Sequence, residues 1–378
     1  MKKCIRAARA VTMSAGDPVV SDFAMITENG VILESGKWSL IKKAWTADVE
    51  DLGDVTITPG LVNAHTHLGL SHFEGLTVKG QGFTGWMQSL VAGPLQTFDG
   101  QALYNKVQEM LSQGTVYCAD ISTSNIIEVA GTLDTTDMAF TAFCESMGNA
   151  APKDGKKFFP EYSSAKGRIA GAGHALYSTN AKRLKAVKEA DSAAGLPFSM
   201  HLAENQEEDL ILAGEECAFG KMLEAAGFLP EFPEAVRPVP YADSLGLLDS
   251  RTIAVHCVKV DDSDIDILAE RGVGVCLCPR SNLYIGEGRA PWEKIISAGI
   301  RTCLGTDSIA SNFDLNLWND LSYLLENINL SLDTVEALSL VTLNPAGVLG
   351  IDDIYGRLEP GLSASYAVMP SGIEELLF

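Results

Sequence analysis

Eight short apolar runs, separated by helix-like stretches or turn-rich loops, recur along most of this chain, and no other feature narrows its fold so far. The runs are Leu61–His67, Thr115–Ile121, Met138–Glu145, Ile169–Tyr177, Phe198–Glu204, Thr252–His256, Val273–Cys278 and Arg301–Asp307. Between them the spacing predicts helices over Gln101–Gln113, Asn180–Ala194, Asp261–Glu270 and Pro291–Ala298, each with a polar or first-turn residue in front and a glycine behind. Two more, Leu315–Ile328 and Leu332–Val341, follow the eighth run. Alternating strand and helix imply a parallel sheet, and eight units over about 250 residues favour a closed barrel over an open sheet.

The ends of the chain read differently. Ile5 to Val11, Phe23 to Ile26, Val31 to Leu33 and Val55 to Ile57 are strand-like and separated by turn signals such as Asn29-Gly30. The tail from Gly356 through Val368 is again turn and strand. The expected fold is therefore a TIM-like (β/α)8 barrel over 58–345, with a small discontinuous β-sandwich domain from 1–57 and 346–378.

Charge excludes some functions. Lys and Arg number 28 against 49 Asp and Glu, so the net charge is −21, which repels phosphate backbones and anionic lipid. Neither nucleic acid nor membrane is an expected partner. The basic start lacks the apolar core of a signal peptide and is read as a first strand. The eight cysteines are read as small buried hydrophobes in a reducing cytoplasm. A small-molecule substrate is the expected partner, and self-association is left open.

Six histidines carry the main chemical signal. His65 and His67 close the first barrel strand, and a period of two puts both on one face. His201 closes a run in the fifth strand, His256 ends the sixth and Asp307 the eighth. Each is a polar group at the end of a run that otherwise reads as core, and burying any one alone is costly. Together, at matching strand ends, they form a metal site: three imidazoles and a carboxylate suit one Zn2+ or Fe2+ and leave a position for water.

His65-x-His67, His201, His256 and Asp307 resemble the amidohydrolase superfamily strand by strand, over nearly the whole chain. The segments Pro59 to His67, Cys278-Pro279-Arg280-Ser281-Asn282-Leu283 and Gly305-Thr306-Asp307-Ser308 are similar to its cytosine deaminase and chlorohydrolase branch. The resemblance implies His65, His67, His201 and Asp307 as metal ligands and His256 as the group holding the attacking water. The fourth strand lacks the lysine that bridges two metals in binuclear relatives, so a mononuclear site is expected. His-x-x-Glu in related deaminases sets Glu204 against a ring nitrogen of the substrate, in place of a solvated role shared with Glu207, Glu208 and Asp209. The implied reaction is hydrolytic deamination of an amino-substituted heteroaromatic, with Asp307 taking the water proton and Glu204 protonating the ring.

Further substrate contacts are expected from His174, in a segment similar to the His-Ala-Pro-Tyr of related deaminases but with Leu176 in place of the proline, and from Ser281 and Asn282 at the mouth. Trp86 is weighed between covering a bound base and packing, and His72 between contact and an exposed loop. Asn63 to Leu68 followed by Ser71 looks like aminodeoxyfutalosine deaminases, with adenosine, S-adenosylhomocysteine and methylthioadenosine deaminases as rivals. A triazine-type chlorohydrolase or amine hydrolase, and a catalytically silent binding module, remain the alternatives.

Overall fold

The computed structural model describes residues 2–43, 45–148, 158–162, 164–233 and 236–378. Five strands form first: β1 (Lys2–Val11), β2 (Val19–Glu28), β3 (Val31–Lys37), β4 (Val49–Asp51) and β5 (Thr56–Pro59). The barrel strands follow as β6 (Leu61–Thr66), β7 (Thr115–Ser122), β8 (Ala139–Ser146), β9 (Gly167–Gly173), β10 (Phe198–Leu202), β11 (Thr252–His256), β12 (Gly274–Leu277) and β13 (Thr302–Leu304). β14 (Tyr366–Val368) returns to the first group.

β6 to β13 pair in sequence order into one eight-stranded sheet, and every pairing along it is parallel. The first and last strands meet through a bridge between Thr66 and Asp307, where the Asp307 N–H donates to the His65 carbonyl at 3.0 Å. Gly305 makes this approach feasible: a Cβ there would lie 2.7 Å from His65 Cβ and 2.8 Å from its carbonyl oxygen. The strands are buried throughout, as expected of a parallel sheet covered by helices.

Helix ends follow their local chemistry. Asp99 accepts from the N–H groups of Gln101 and Ala102, Asn180 from Lys182, and Asp261 forms a capping box with Asp264. Gly195 stops helix Ala181–Ala194 in the left-handed region, at φ 70°. Some bounds differ from expectation. β9 ends at Gly173, so His174 to Tyr177 form a loop at the mouth. The helix expected over Leu332–Val341 spans Thr334–Ser339. A further helix, Leu343–Leu349, packs on β6 and β13, and position 345/346 falls inside it.

The terminal strands form a separate six-stranded mixed sheet in the order β14-β5-β1-β2-β3, with β4 pairing β1. Its core includes Ile5, Phe23, Met25, Ile32 and Ile57, joined by Leu358 from the far end of the chain. Among the described residues no helix is long and apolar enough to cross a membrane, and all eight cysteines are free.

Candidate metal centre and active site

Strand register and local strain together gather the polar groups. His201 pairs with Val255, Val255 with Cys276 and Cys276 with Cys303, so these side chains share one face of the sheet. His256 follows Val255 directly, and strict alternation would send it to the opposite face. Its φ of 75° breaks the alternation, and its ring lies 5.5 Å from that of His201 and 5.8 Å from that of His65. Asp307 has φ 57°, and Ala203, immediately before Glu204, has φ 51°. Such conformations cost on the order of 1–3 kcal/mol each outside glycine and persist where surrounding structure enforces them.

The donors converge tightly. The Nε2 atoms of His65 and His67 are 3.1 Å apart, and Asp307 Oδ1 lies 3.6 and 3.4 Å from them. Nitrogens of His65, His67 and His201 all fall within 4.8 Å of one another. The other face of three of the groups is tied down. His201 Nδ1 pairs with the His174 carbonyl at 3.0 Å, and His256 Nδ1 with Asn282 Oδ1 at 3.1 Å. Asp307 Oδ2 accepts from Ser281 Oγ at 2.6 Å and Ser311 Oγ at 2.9 Å. Such outer partners fix which ring nitrogen faces a metal. His256 Nε2 is buried without a hydrogen-bond partner and stands 3.4 Å from Glu204 Oε1.

Burial and mutual charge set protonation. Burial pushes the imidazole of His65 down to about 4, and those of His201, His174 and His256 also downward, which keeps their lone pairs free. Burial opposes ionisation of Asp307, yet its bond with His65 and the nearby imidazoles hold it well below the ordinary carboxylate range. Glu204 moves the other way: burial, then the charges of Asp307, Glu208, Glu287 and Glu145, raise it well above its usual value.

His65, His67, His201, His256, Asp307 and Glu204 are thus brought together, with His174 beside them at 5.1 Å between rings from His201. Ser281 and Asn282, expected to line the mouth, are instead fully buried behind Asp307 and His256. Trp86 is 8% exposed, donates from Nε1 to the Ala310 carbonyl at 2.8 Å and packs on Phe83. His72 points away, with Nε2 3.1 Å from the Pro94 carbonyl.

Two acids escaped the sequence reading of the site. Glu145 is the last residue but one of β8, with its side chain buried beside His174 and His201. It closes an apolar run as Asp307 does, so the same signal marks it. Glu208, expected on a solvated face with Glu207 and Asp209, is fully buried and accepts the Glu204 N–H at 3.0 Å. Burial lifts its carboxyl to about 8. Nothing in the local pattern separates it from its half-buried neighbours Glu207 and Asp209.

The chain is similar to known proteins in sequence and in fold. The chain is 31% identical to the 5-methylthioadenosine/S-adenosylhomocysteine deaminase of Nitratidesulfovibrio vulgaris (strain DP4), over 95% of this chain and 81% of that relative. The structure of the Helicobacter pylori aminofutalosine deaminase in complex with methylthio-coformycin superposes with a TM-score of 0.85 at 20% identity, covering 99% of this chain and 96% of the other. A zinc-bound adenosine deaminase from Xanthomonas campestris gives 0.80 at 23% identity, covering 97% and 84%. The amidohydrolase family model matches residues 56–375, a span that runs from the last strand before the barrel to the closing helix. With most of its length inside that match, the chain belongs to the amidohydrolase family and is a hydrolase of carbon–nitrogen bonds.

Proposed function

We propose that this amidohydrolase is a mononuclear, metal-dependent deaminase of an adenine nucleoside-like compound: aminodeoxyfutalosine, adenosine, S-adenosylhomocysteine or methylthioadenosine. The observation that carries the reading is the opposed pair of carboxyls: Glu204 lies 3.4 Å from His256, where burial and neighbouring acids push it upward, and Asp307 lies beside His65 and His67, whose imidazoles push it downward. Two carboxyls driven apart in this way divide into a proton donor and a proton acceptor.

The donor set fits one divalent ion, Zn2+ or Fe2+. Nitrogens of His65, His67 and His201 lie within 4.8 Å of one another, Asp307 Oδ1 lies 3.6 and 3.4 Å from the first two, and β9 carries no lysine. His65, His67, His201 and Asp307 hold the ion. When bound, it supplies the Lewis acidity that makes a water nucleophilic at neutral pH. Asp307, clamped through Oδ2 by Ser281 and Ser311, takes a proton from the attacking water. His256 Nε2 orients that water. Glu204 donates its proton to the ring nitrogen next to the attacked carbon, so negative charge does not accumulate on the ring. Asp307 then passes its proton to the leaving amine. As the carbonyl forms, the proton of the added hydroxyl returns to Glu204; a carbon–oxygen bond has formed, a carbon–nitrogen bond has broken, and ammonia and a ring carbonyl are the products.

The test is ammonia release by zinc- and iron-loaded protein over adenine nucleosides, aminodeoxyfutalosine, guanine, cytosine and aminotriazines, with chloride release from chlorotriazines in parallel. Turnover of an adenine nucleoside is expected, and Asp307→Asn should abolish it in a folded protein. Chloride release alone would replace this reading with the chlorohydrolase one, for which the protonated Glu204 has little use. A chain that neither binds metal nor turns over any of these would be a silent module.

A further inference from the structure

The segment that follows β6 crosses the mouth of the barrel. β6 and β10 stand four strands apart in a closed set of eight, so they face each other. Helix Gly82–Ala92 comes after β6, yet Thr84 Oγ1 donates to Glu207 Oε1 at 2.8 Å, just beyond β10. Phe83 meets Phe219 edge-on on that far rim, with ring centroids 5.0 Å apart. On the near rim Trp86 donates to the Ala310 carbonyl, just past Asp307. A helix bonded to both rims roofs the groups between them.

The first turn of this roof has no cap of its own. Gln81, at the cap position, makes no side-chain bond there, and Gly82, at φ 70°, has no side chain to offer. The leading N–H groups of a helix need acceptors from outside it. Glu287 supplies one from another loop: its Oε1 accepts the Phe83 N–H at 2.8 Å, from 204 residues away. Its side chain is only 7% exposed, so water competes little for that bond. Backbone contact brings the two loops together. The Gly80 N–H donates to the Tyr284 carbonyl at 2.8 Å, and a Cβ on Gly286, at φ 97°, would stand 3.3 Å from the Gly80 Cα. Glu287 is itself anchored to the frame of the site. Its N–H donates to the carbonyl of Asn282, the residue that holds His256, at 3.0 Å. Its carbonyl accepts from Lys259 Nζ at 2.8 Å, and the Lys259 N–H donates to the Ala203 carbonyl, next to Glu204, at 2.9 Å.

We infer that Glu287 is a positioning residue for substrate binding: by capping helix Gly82–Ala92 from a distant loop, it holds that helix down over the bound adenine base. The inference rests on the deaminase reading for the nature of the guest, and on the cap geometry for the role. Only an acceptor oxygen with the right reach is needed, so the role does not depend on the charge of the carboxyl. Without the cap the first turn frays and the roof spends more time open. The fraction of protein ready to bind falls, and apparent affinity falls with it. The chemical step, which proceeds once the roof is down, is spared.

The experiment compares metal-loaded wild type with Glu287→Gln, Glu287→Asp and Glu287→Ala, with metal content measured for each. Hydrogen–deuterium exchange over residues 77–92 is followed without substrate, and KM and kcat are measured for adenosine and methylthioadenosine. Glu287→Gln keeps an acceptor oxygen at the same reach, and its exchange and KM should stay within about twofold of wild type. Glu287→Asp is one methylene too short and Glu287→Ala has no acceptor. Both should exchange about fivefold or more faster over 77–92, with the barrel strands unchanged. Their KM should rise about threefold or more, with kcat altered by less than that factor. The aspartate variant serves if the alanine variant does not fold. Unchanged exchange in both overturns the cap, and a raised KM with unchanged exchange makes Glu287 a direct substrate contact instead. Faster exchange at unaltered KM overturns the positioning role, as does a glutamine variant no better than alanine. If the wild type deaminates neither nucleoside, the deaminase reading falls. Calorimetric affinity for the two then stands in for KM under the same criteria, and absent binding counts against the inference.

Discussion

Glu204 and Asp307 differ in what surrounds them more than in what they are. Asp307 keeps its charge because imidazoles at 3.4 and 3.6 Å and two serine hydroxyls compensate burial. Glu204 faces His256 and other acids, and burial with those acids pushes its carboxyl well upward. Replacing Glu204 by glutamine keeps the shape and removes the transferable proton. We expect kcat to fall by on the order of 10²-fold or more, with metal content unchanged. Undiminished kcat in steady-state assays would remove Glu204 from the reaction. At this scale the sequence was legible where a polar residue interrupts an apolar run, which is how His65, His201, His256 and Asp307 stand out. It was opaque where burial is decided by a turn elsewhere. Ser281 and Asn282 read as mouth residues because Ser-Asn is common turn chemistry, yet helix Pro279–Ile285 carries them behind the reacting groups. Glu208 is buried by the path of Gln206–Leu212, which a run of three acids conceals.

Among elements, the meeting of β6 and β13 is the most constrained. Paired there by one bridge, the strands approach so closely that Gly305 has no room for a methyl group. Gly305→Ala must push His65 aside, and its backbone with it. The expected cost is about 1–3 kcal/mol or more in stability, together with weaker zinc retention in a chelator competition. A variant with wild-type melting and zinc affinity would show that the strands can part without consequence. Most elements were readable from caps and glycine stops, since Asp99, Asn180 and Asp261 perform the capping that their positions announce. Helix Leu343–Leu349 was not, because Asn344-Pro345 reads as a break. A proline in the first turn forfeits only an N–H that has no helical partner, so the helix tolerates it.

For the molecule as a whole, acidity extends into the interior. The chain carries a net charge of −21, and some of its acids are buried far from the reacting groups. Asp191 accepts the Gly171 N–H at 2.8 Å, joining helix Ala181–Ala194 to β9, and its Oδ2 has no hydrogen-bond partner among the described residues. Burial lifts its carboxyl from 3.8 to about 8. A pKa higher in the folded than in the unfolded chain means that this group's contribution is complete below about 4. It is lost as the pH climbs through about 8, where the buried carboxyl is forced to ionise. Asp191→Asn keeps an acceptor for Gly171 and has nothing to ionise. Thermal melts from pH 5 to 9 at constant ionic strength should show the variant gaining on the wild type as the pH rises. Parallel curves would show that Asp191 is not held protonated.

The small sheet outside the barrel has its own bearing on how this molecule comes into being. β5 accepts β14 antiparallel, through Tyr366 opposite Pro59 and Val368 opposite Ile57. These partners are far apart along the chain. Until the last stretch emerges, the edge at Thr56–Pro59 waits with open backbone groups, the kind of edge that recruits stray strands. A chain truncated before Tyr366 would therefore leave that edge open to unwanted pairing.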